Sequence, residues 1–178
     1  MKWTKLHAAL NERIAPSLHR RVAIHQARYR RTAEEVGRVW ITLDGEEIAS
    51  FDTNSYVSRR AAIGNEIRSG LGPWGLPPAS NYQQYLAADQ AAVQHLREAG
   101  LHDDYVALAE LEGYLSLGVK QAMASQVPLV RAMAMIDRRL GKRRLVALEL
   151  KVDEHQLVKI LLAARMEAEG LTRNTRAV

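Results

Sequence analysis

The sequence contains no cysteine among its 178 residues, which excludes disulfides, thiolate metal ligands and cysteine nucleophiles. It also has no apolar run approaching the roughly 18 residues that a membrane-spanning helix needs. The N-terminal Met1–Leu6 carries two lysines and no apolar segment of signal-peptide length. These absences predict a cytoplasmic protein that does not contact a membrane and works in a reducing compartment.

Several motifs that announce a catalytic or ligand-binding site are absent as well. The chain has no glycine-rich phosphate loop, no Gly-x-Ser-x-Gly nucleophile elbow and no His-Glu-x-x-His zinc helix. No two of the six histidines stand three or four residues apart, the spacing that places two ligands on one helical face. We therefore expect no metal ion and no other cofactor.

Positive charge is concentrated in two stretches of the chain, although the net charge is only +5. Residues 1–31, the N-terminal basic block, carry eight Lys or Arg against one acid. Residues 119–151, the C-terminal basic block, carry eight against two, and acidic segments lie between the blocks. A positive face is expected only if the two blocks meet in the fold.

The first part of the chain alternates between helical and strand patterns. A helix is predicted over about residues 4–14, and it ends before Pro16, which cannot donate to the helical ladder. Over residues 20–31 the helical period gives way to the two-residue alternation of a strand.

A β-hairpin is predicted over residues 38–52. Asp44-Gly45 supplies the positive φ values of a tight type I′ turn between two alternating segments. A two-residue turn there pairs Ile41 with Ile48 and Trp40 with Ala49, and it places Phe51 on the Trp40 face.

The rest of the chain has the pattern of helices separated by capping residues and glycine stops. Asp103, Ser125 and Asp153 stand where helices are expected to begin, and Gly100-Leu101, Gly141 and Gly170-Leu171 where they are expected to end. The predicted helices cover about 55–69, 81–100, 103–122, 125–140 and 153–170.

The fold class that follows is α+β: a small three-stranded antiparallel meander near the N-terminus, followed by a bundle of about five helices. We expect one domain over residues 1–171, with the sheet part at about 1–55 and the helical part at about 55–171. Residues 172–178 are predicted to be a frayed tail.

The densest cluster of cations lies in and after the helix predicted over 125–140. It favours a phosphate-binding or acidic-partner surface, whereas the alternative is a solvated face on which Asp137 pairs with an arginine. Lys142 and its neighbours are expected to follow the helix end at Gly141, where cations stabilise the macrodipole. The candidate binding residues are Arg131, Arg138, Arg139, Lys142, Arg143 and Arg144.

A second candidate surface lies on the predicted sheet. Arg28 and Arg30 share one face of the first strand, and basic residues beside Tyr29 and Trp40 could hold phosphates and stack bases. The alternative is that Trp40 packs on the sheet as a core residue. Trp74, in the proline-rich segment after the first helix of the bundle, either covers the core edge or anchors a partner.

Three segments together carry a family resemblance: Met1–Leu6, Ile41–Thr53 and Arg131–Leu145. They resemble a family of small bacterial proteins named after a hypothetical protein of Shigella, over nearly the whole chain. The resemblance implies no known activity and no catalytic residue. It implies a gene neighbourhood near toxin loci, which suits an immunity role.

Three functions remain open at this stage. The favoured one is a non-catalytic binding protein with a protein partner, in the specific form of a toxin-neutralising protein. A nucleic-acid-binding protein is the first alternative. An enzyme acting on a phosphorylated substrate is the second, with Asp52, Asp137 and the arginine cluster as its candidate residues, and a pocket joining the two carboxylates would favour it.

Overall fold

The structure, a computed structural model, describes residues 1–29, 36–69 and 82–171. In chain order the described elements are α1 (Trp3–Arg13), a 3-10 turn (Pro16–Leu18), β1 (Val22–Tyr29), β2 (Val36–Leu43), β3 (Glu46–Asp52), α2 (Thr53–Ser69), α3 (Tyr82–Glu98), α4 (Asp104–Ser116), α5 (Val119–Met123), α6 (Pro128–Met135), α7 (Lys142–Val146) and α8 (Gln156–Ala168). An antiparallel sheet of order β1-β2-β3 near the N-terminus is followed by helices, which confirms the predicted α+β class. The prediction of a single domain stays a prediction.

The predicted hairpin turn is confirmed at Asp44-Gly45. Asp44 has φ 53° and Gly45 has φ 90°, the left-handed values that a type I′ turn requires at both central residues. β1 extends the hairpin to three strands, with Ile24 opposite Ile41. Both isoleucines are buried, so this face of the sheet is the inner one.

The predicted pairing beyond the turn is wrong by one residue. Ile41 lies opposite Ala49, because Ile48 is an extra residue in β3 and forms a β-bulge. Side chains alternate with a period of two, so the insertion transfers the rest of β3 to the other face. Phe51, predicted on the Trp40 face, therefore lies opposite Val39 on the inner face and is 3% exposed.

The inner face of the sheet is part of one hydrophobic cluster that it shares with the helices. α1, α4, α6 and α8 each contribute buried side chains to the same hydrophobic cluster as the sheet. The largest of the fully buried side chains is Tyr114 of α4. Because the Tyr114 hydroxyl is buried, it needs a polar partner inside the protein.

α2 and α3 form a helical hairpin outside this cluster. α3 packs mainly on α2, and Arg60 of α2 pairs with Asp89 of α3. The buried residues of α3, which include Ala92 and Leu96, do not belong to the main cluster. Asp52 caps the start of α2 by accepting a hydrogen bond from Ser55 N at 2.8 Å.

One of the predicted helices is divided in the structure, and a second is shorter than predicted. The helix predicted over 103–122 breaks at Leu117-Gly118 into α4 and α5. The helix predicted over 125–140 ends at Met135, because the next backbone groups pair with the chain after α1 and leave the helical ladder. Gly141 does not end that helix but precedes α7 as its N-cap.

The helix ends after α3 and α8 are confirmed, whereas the starts predicted at Ser125 and Asp153 are wrong, and α6 begins at Pro128. Gly100 and Gly170 have φ 67° and 65°, and the residue after each glycine donates its N–H back to the helix, as in a Schellman motif. The last helix does not begin at Asp153. His155 caps it instead, since its Nδ1 accepts a hydrogen bond from Leu157 N.

Candidate functional site

The N-terminal and C-terminal basic blocks meet along the chain segments after α1 and α6. Arg138 N donates to the Arg13 carbonyl at 2.7 Å, and Ala15 N donates to the Ile136 carbonyl at 2.8 Å. These two bonds make the short antiparallel bridge between Ile14 and Asp137. This backbone pairing therefore fixes the position on the protein surface from which the Arg138 side chain extends.

Asp137 holds the turn that follows this bridge. It is 0% exposed, and its Oδ2 accepts a hydrogen bond from the Tyr114 hydroxyl at 2.6 Å. Its Oδ1 accepts one from Arg139 N at 2.8 Å, and the Arg139 guanidinium reaches Oδ2 at 2.6 Å. A buried carboxylate with this many donors fixes the backbone that carries the cations.

The electrostatics of this group follow from burial and pairing. Burial alone would raise the pKa of Asp137, but hydrogen bonds from Arg139 and Tyr114 outweigh it and hold that pKa below its ordinary value. Burial, with the bond to Asp137, raises the pKa of Tyr114. Asp137 is therefore an ionised structural group, and Arg139 balances its negative charge. The solvated-face alternative predicts this pairing of Asp137 with an arginine.

Four cations of the C-terminal basic block point outward from this turn. Arg138, Arg143 and Arg144 are exposed, and the Lys142 side chain is 66% exposed. No described residue pairs with Arg143 or Arg144, whereas Lys142 Nζ lies 3.8 Å from Glu169. We call these four residues the basic corner. Lys142, Arg143 and Arg144 do not follow a helix end at Gly141 as predicted, because they form the first turn of α7.

Glu169 connects the basic corner to the core. Besides Lys142, it pairs with Arg165, which is 4% exposed and donates to the Ile136 carbonyl at 3.1 Å. Glu169 also accepts a weak hydrogen bond from Ser17 in the 3-10 turn. The negative charge of Glu169 is thus already paired with cations of the protein itself.

Arg131 does not join the basic corner. Its guanidinium lies 2.7 Å from Glu154 and donates to the Met123 carbonyl at 2.8 Å, and its side chain is 17% exposed. Arg131 and Arg138 stand seven residues apart, a helical spacing, but they do not share a helix face because α6 ends between them at Met135.

The second candidate surface lies on the sheet. Arg28 is exposed near the end of β1, opposite Gly37. Trp40 is half-buried on the outer face, where it stacks on His25 at 5.0 Å with Arg38 over its ring at 5.1 Å. Arg30 and Trp74 lie outside the described residues.

A family model matches almost the whole chain, over residues 2–166. The chain belongs to the SF0329 protein family. This confirms the resemblance carried by the three sequence segments. No curated protein and no solved structure matches the chain. The SF0329 family has no assigned activity, so membership identifies no catalytic residue.

A second polar cluster of this SF0329 protein was missed in the sequence. His102 Nε2 lies 3.4 Å from Glu110 Oε1, and the two side chains are 5% and 11% exposed. Burial lowers the pKa of His102 and raises that of Glu110 to about 7. Helical spacing could have predicted the burial of Glu110. It follows Ala107 by three residues and precedes Tyr114 by four, so it lies on the buried face of α4.

A pocket joining Asp52 and Asp137 would favour the enzyme alternative, and the cavity that Asp52 lines does not include Asp137. Asp52 lines a cavity of about 90 Å³ with Ser50, Ser55, Tyr56, Arg59, Leu101 and His102. Asp137 is not in that wall. The Asp52 carboxylate is occupied in capping α2.

The described part of this SF0329 protein has no helix long and apolar enough to cross a membrane. Within the same residues, no group of three or more His, Asp or Glu side chains is placed to hold a metal ion.

Proposed function

We propose that this protein is a non-catalytic binding protein whose basic corner contacts an acidic surface of a protein partner. The observation that carries the proposal is the meeting of the two basic blocks at the Arg13–Arg138 backbone bond. The bond fixes the backbone at Arg138, and Arg138, Lys142, Arg143 and Arg144 are all exposed. A toxin-neutralising role is a specific form of this function and stays a prediction.

The charge of the basic corner is not balanced from within the described chain. Asp137, the nearest acid in sequence, is consumed by Arg139 and Tyr114. Glu169, which lies 3.8 Å from Lys142 Nζ, already pairs with Arg165. Arg143 and Arg144 therefore offer free guanidinium groups, which bind carboxylates in a bidentate geometry.

The backbone beneath the cations is held in place before any partner arrives. The Ile14–Asp137 bridge and the hydrogen bonds to Asp137 fix residues 136–139. Leu140 and Leu145 are fully buried on either side of Lys142–Arg144, so α7 is anchored as well. Binding at such a surface loses less conformational entropy than binding at a loose loop.

The side chains around the cations of the basic corner favour a protein partner over nucleic acid. Val146 is 39% exposed and lies one turn along α7 from Lys142 and Arg143. Arginine beside exposed apolar surface is typical of protein interfaces. Residues 136–148 contain no aromatic side chain on which a base could stack.

Affinity capture from a nuclease-treated lysate of the native host tests the proposal. Three baits are compared: the wild type, R143A/R144A, and K5A/R59A, which loses two exposed cations on α1 and α2. We expect one protein that wild type and K5A/R59A retain and R143A/R144A loses, identified by mass spectrometry. Retention should fall as salt is raised, since charge pairs at an interface rim are screened.

Two results would contradict the proposal. One is a set of captured proteins that does not differ between wild type and R143A/R144A. The other is filter binding of the wild type to mixed DNA and RNA that persists at physiological salt and is lost in R143A/R144A, which would make the basic corner a phosphate-binding surface.

A further inference from the structure

A polar cleft lies between the end of α3 and the start of α6, away from the basic corner. It has a volume of about 290 Å³ and is lined by Gln94, Arg97, Glu98, His102, Gln126, Val127 and Pro128. Three chain segments thus contribute to it: the last turn of α3, the residue before the α4 cap, and the first residues of α6 with those before them. Such a convergence of polar groups on one cavity is typical of small-ligand sites.

His102, which lines the cleft, and Glu110, which lies beside His102 but does not line the cleft, have buried polar atoms without hydrogen-bond partners. His102 Nε2 and both carboxylate oxygens of Glu110 are buried and make no hydrogen bond within the described chain. The 3.4 Å approach of His102 to Glu110 is an ion-pair distance without hydrogen-bond geometry. An unsatisfied buried polar atom destabilises the folded protein, so a polar group bound in the cleft beside His102 is favoured.

Charges of both signs stand at the mouth of the cleft. Arg97 is exposed, and no described residue forms a hydrogen bond or ion pair with it. Burial keeps the pKa of Glu110 at about 7, so Glu110 supplies only part of a counter-charge at neutral pH. Glu98, next to Arg97, accepts a hydrogen bond from Gln94 at 2.7 Å.

The start of α6 adds a further preference for a negative group. Val127 provides no side-chain cap, so the positive end of this eight-residue helix is left to other partners. Val127 and Pro128 both line the cleft. A carboxylate between Arg97 and α6 would meet positive potential from two sides, and an amino group would find Glu98.

We propose that this cleft binds a small zwitterion of the amino-acid type, with its carboxylate on Arg97 and its amino group on Glu98. His102 forms the inner wall and offers a ring nitrogen to the ligand's polar groups. A dianion such as phosphate is disfavoured, because Glu98 stands in the same wall. The site is independent of the proposed function and shares none of its residues.

Ligand-observed NMR and calorimetry test the site on the full chain. The twenty amino acids are titrated one at a time, with acetate and inorganic phosphate as the single-charge and multiple-charge probes. We expect at least one amino acid to bind with a dissociation constant below about 10 mM, and acetate and phosphate to bind about tenfold more weakly. R97Q should weaken binding about tenfold, whereas K5Q, which removes an exposed cation on α1, should leave it unchanged.

Each other outcome overturns the proposal. Absence of binding by every amino acid shows that the cleft is not such a site. Equal binding of acetate or phosphate shows a simple anion site, and binding unchanged in R97Q places the ligand elsewhere. E98Q is a second variant that keeps the fold, and it should weaken the amino acid while leaving acetate unaffected.

Discussion

The phenolic oxygen of Tyr114 lies 2.6 Å from Oδ2 of Asp137, and both residues are 0% exposed. This bond joins α4 to the turn after α6, far along the chain. The same carboxylate is held by the backbone and side chain of Arg139. This buried bond thus helps to connect the core to the segment that presents the basic corner.

Removing the Tyr114 hydroxyl should destabilise the protein without changing its fold. Y114F keeps the ring but leaves Asp137 without one donor, and a hydrogen bond to a charged group contributes about 1.5–3 kcal/mol. We expect the free energy of unfolding, measured by urea titration, to fall by that amount. Y105F, at a site 77% exposed, is the control and should change it by less than about 0.5 kcal/mol. Equal effects of the two variants would show that the buried bond contributes nothing.

The two glycine stops provide a matched pair of substitutions. Gly100 and Gly170 share a positive φ, so G170A should cost about 1–2 kcal/mol from backbone strain alone. A Cβ at Gly100 would also lie 2.7 Å from His155 Nε2, whereas one at Gly170 meets nothing within 4 Å. G100A should therefore cost about 1–3 kcal/mol more, because the ring that caps α8 must move. Equal thermal unfolding midpoints for both variants would contradict this contact.

Glu110 should make stability fall as pH rises. Its carboxyl ionises near 4.5 in the unfolded chain but near 7 in the folded protein, so the native state binds more protons between these values. Stability is then lost over this window and stays lower above it. E110Q cannot ionise, so its stability relative to wild type should rise from near zero at pH 4 to about 3 kcal/mol at pH 8.

Denaturant titrations at pH 4, 6 and 8 measure this effect. E149Q is the control, because Glu149 is exposed and its variant should parallel wild type at every pH. The lowered pKa of His102 acts below about pH 6.5 in wild type and in E110Q alike, so it does not produce the difference. A constant difference between E110Q and wild type would show that Glu110 ionises normally.

The features that the sequence predicts correctly are those set by local backbone chemistry. Asp44-Gly45 determines its own turn, and Gly100 and Gly170 their own helix ends, because each needs a left-handed conformation. The bulge at Ile48 has no comparable local cause. It depends on Phe51 reaching the inner face of the sheet, which is a property of the whole core.

The candidate site shows the same division. Composition identifies the cations near the basic corner, but it cannot separate Arg131, which pairs with Glu154, from Arg143, which pairs with none of the residues that the structure describes. Asp137 is predicted to pair with an arginine, yet its burial depends on Tyr114 and on the bridge to Ile14, both distant in sequence. Helix periodicity extends α6 past Met135 because it cannot detect this competing backbone pairing.

The most direct test of the basic corner is the dissociation constant of the captured complex at low and high salt. For wild type and K5A/R59A we expect the same constant and the same steep weakening with salt. R143A/R144A should bind about tenfold more weakly at 50 mM salt, and the difference should shrink as screening removes the contribution of the two guanidinium groups. A dissociation constant for R143A/R144A equal to that of wild type at both salt concentrations would contradict the account.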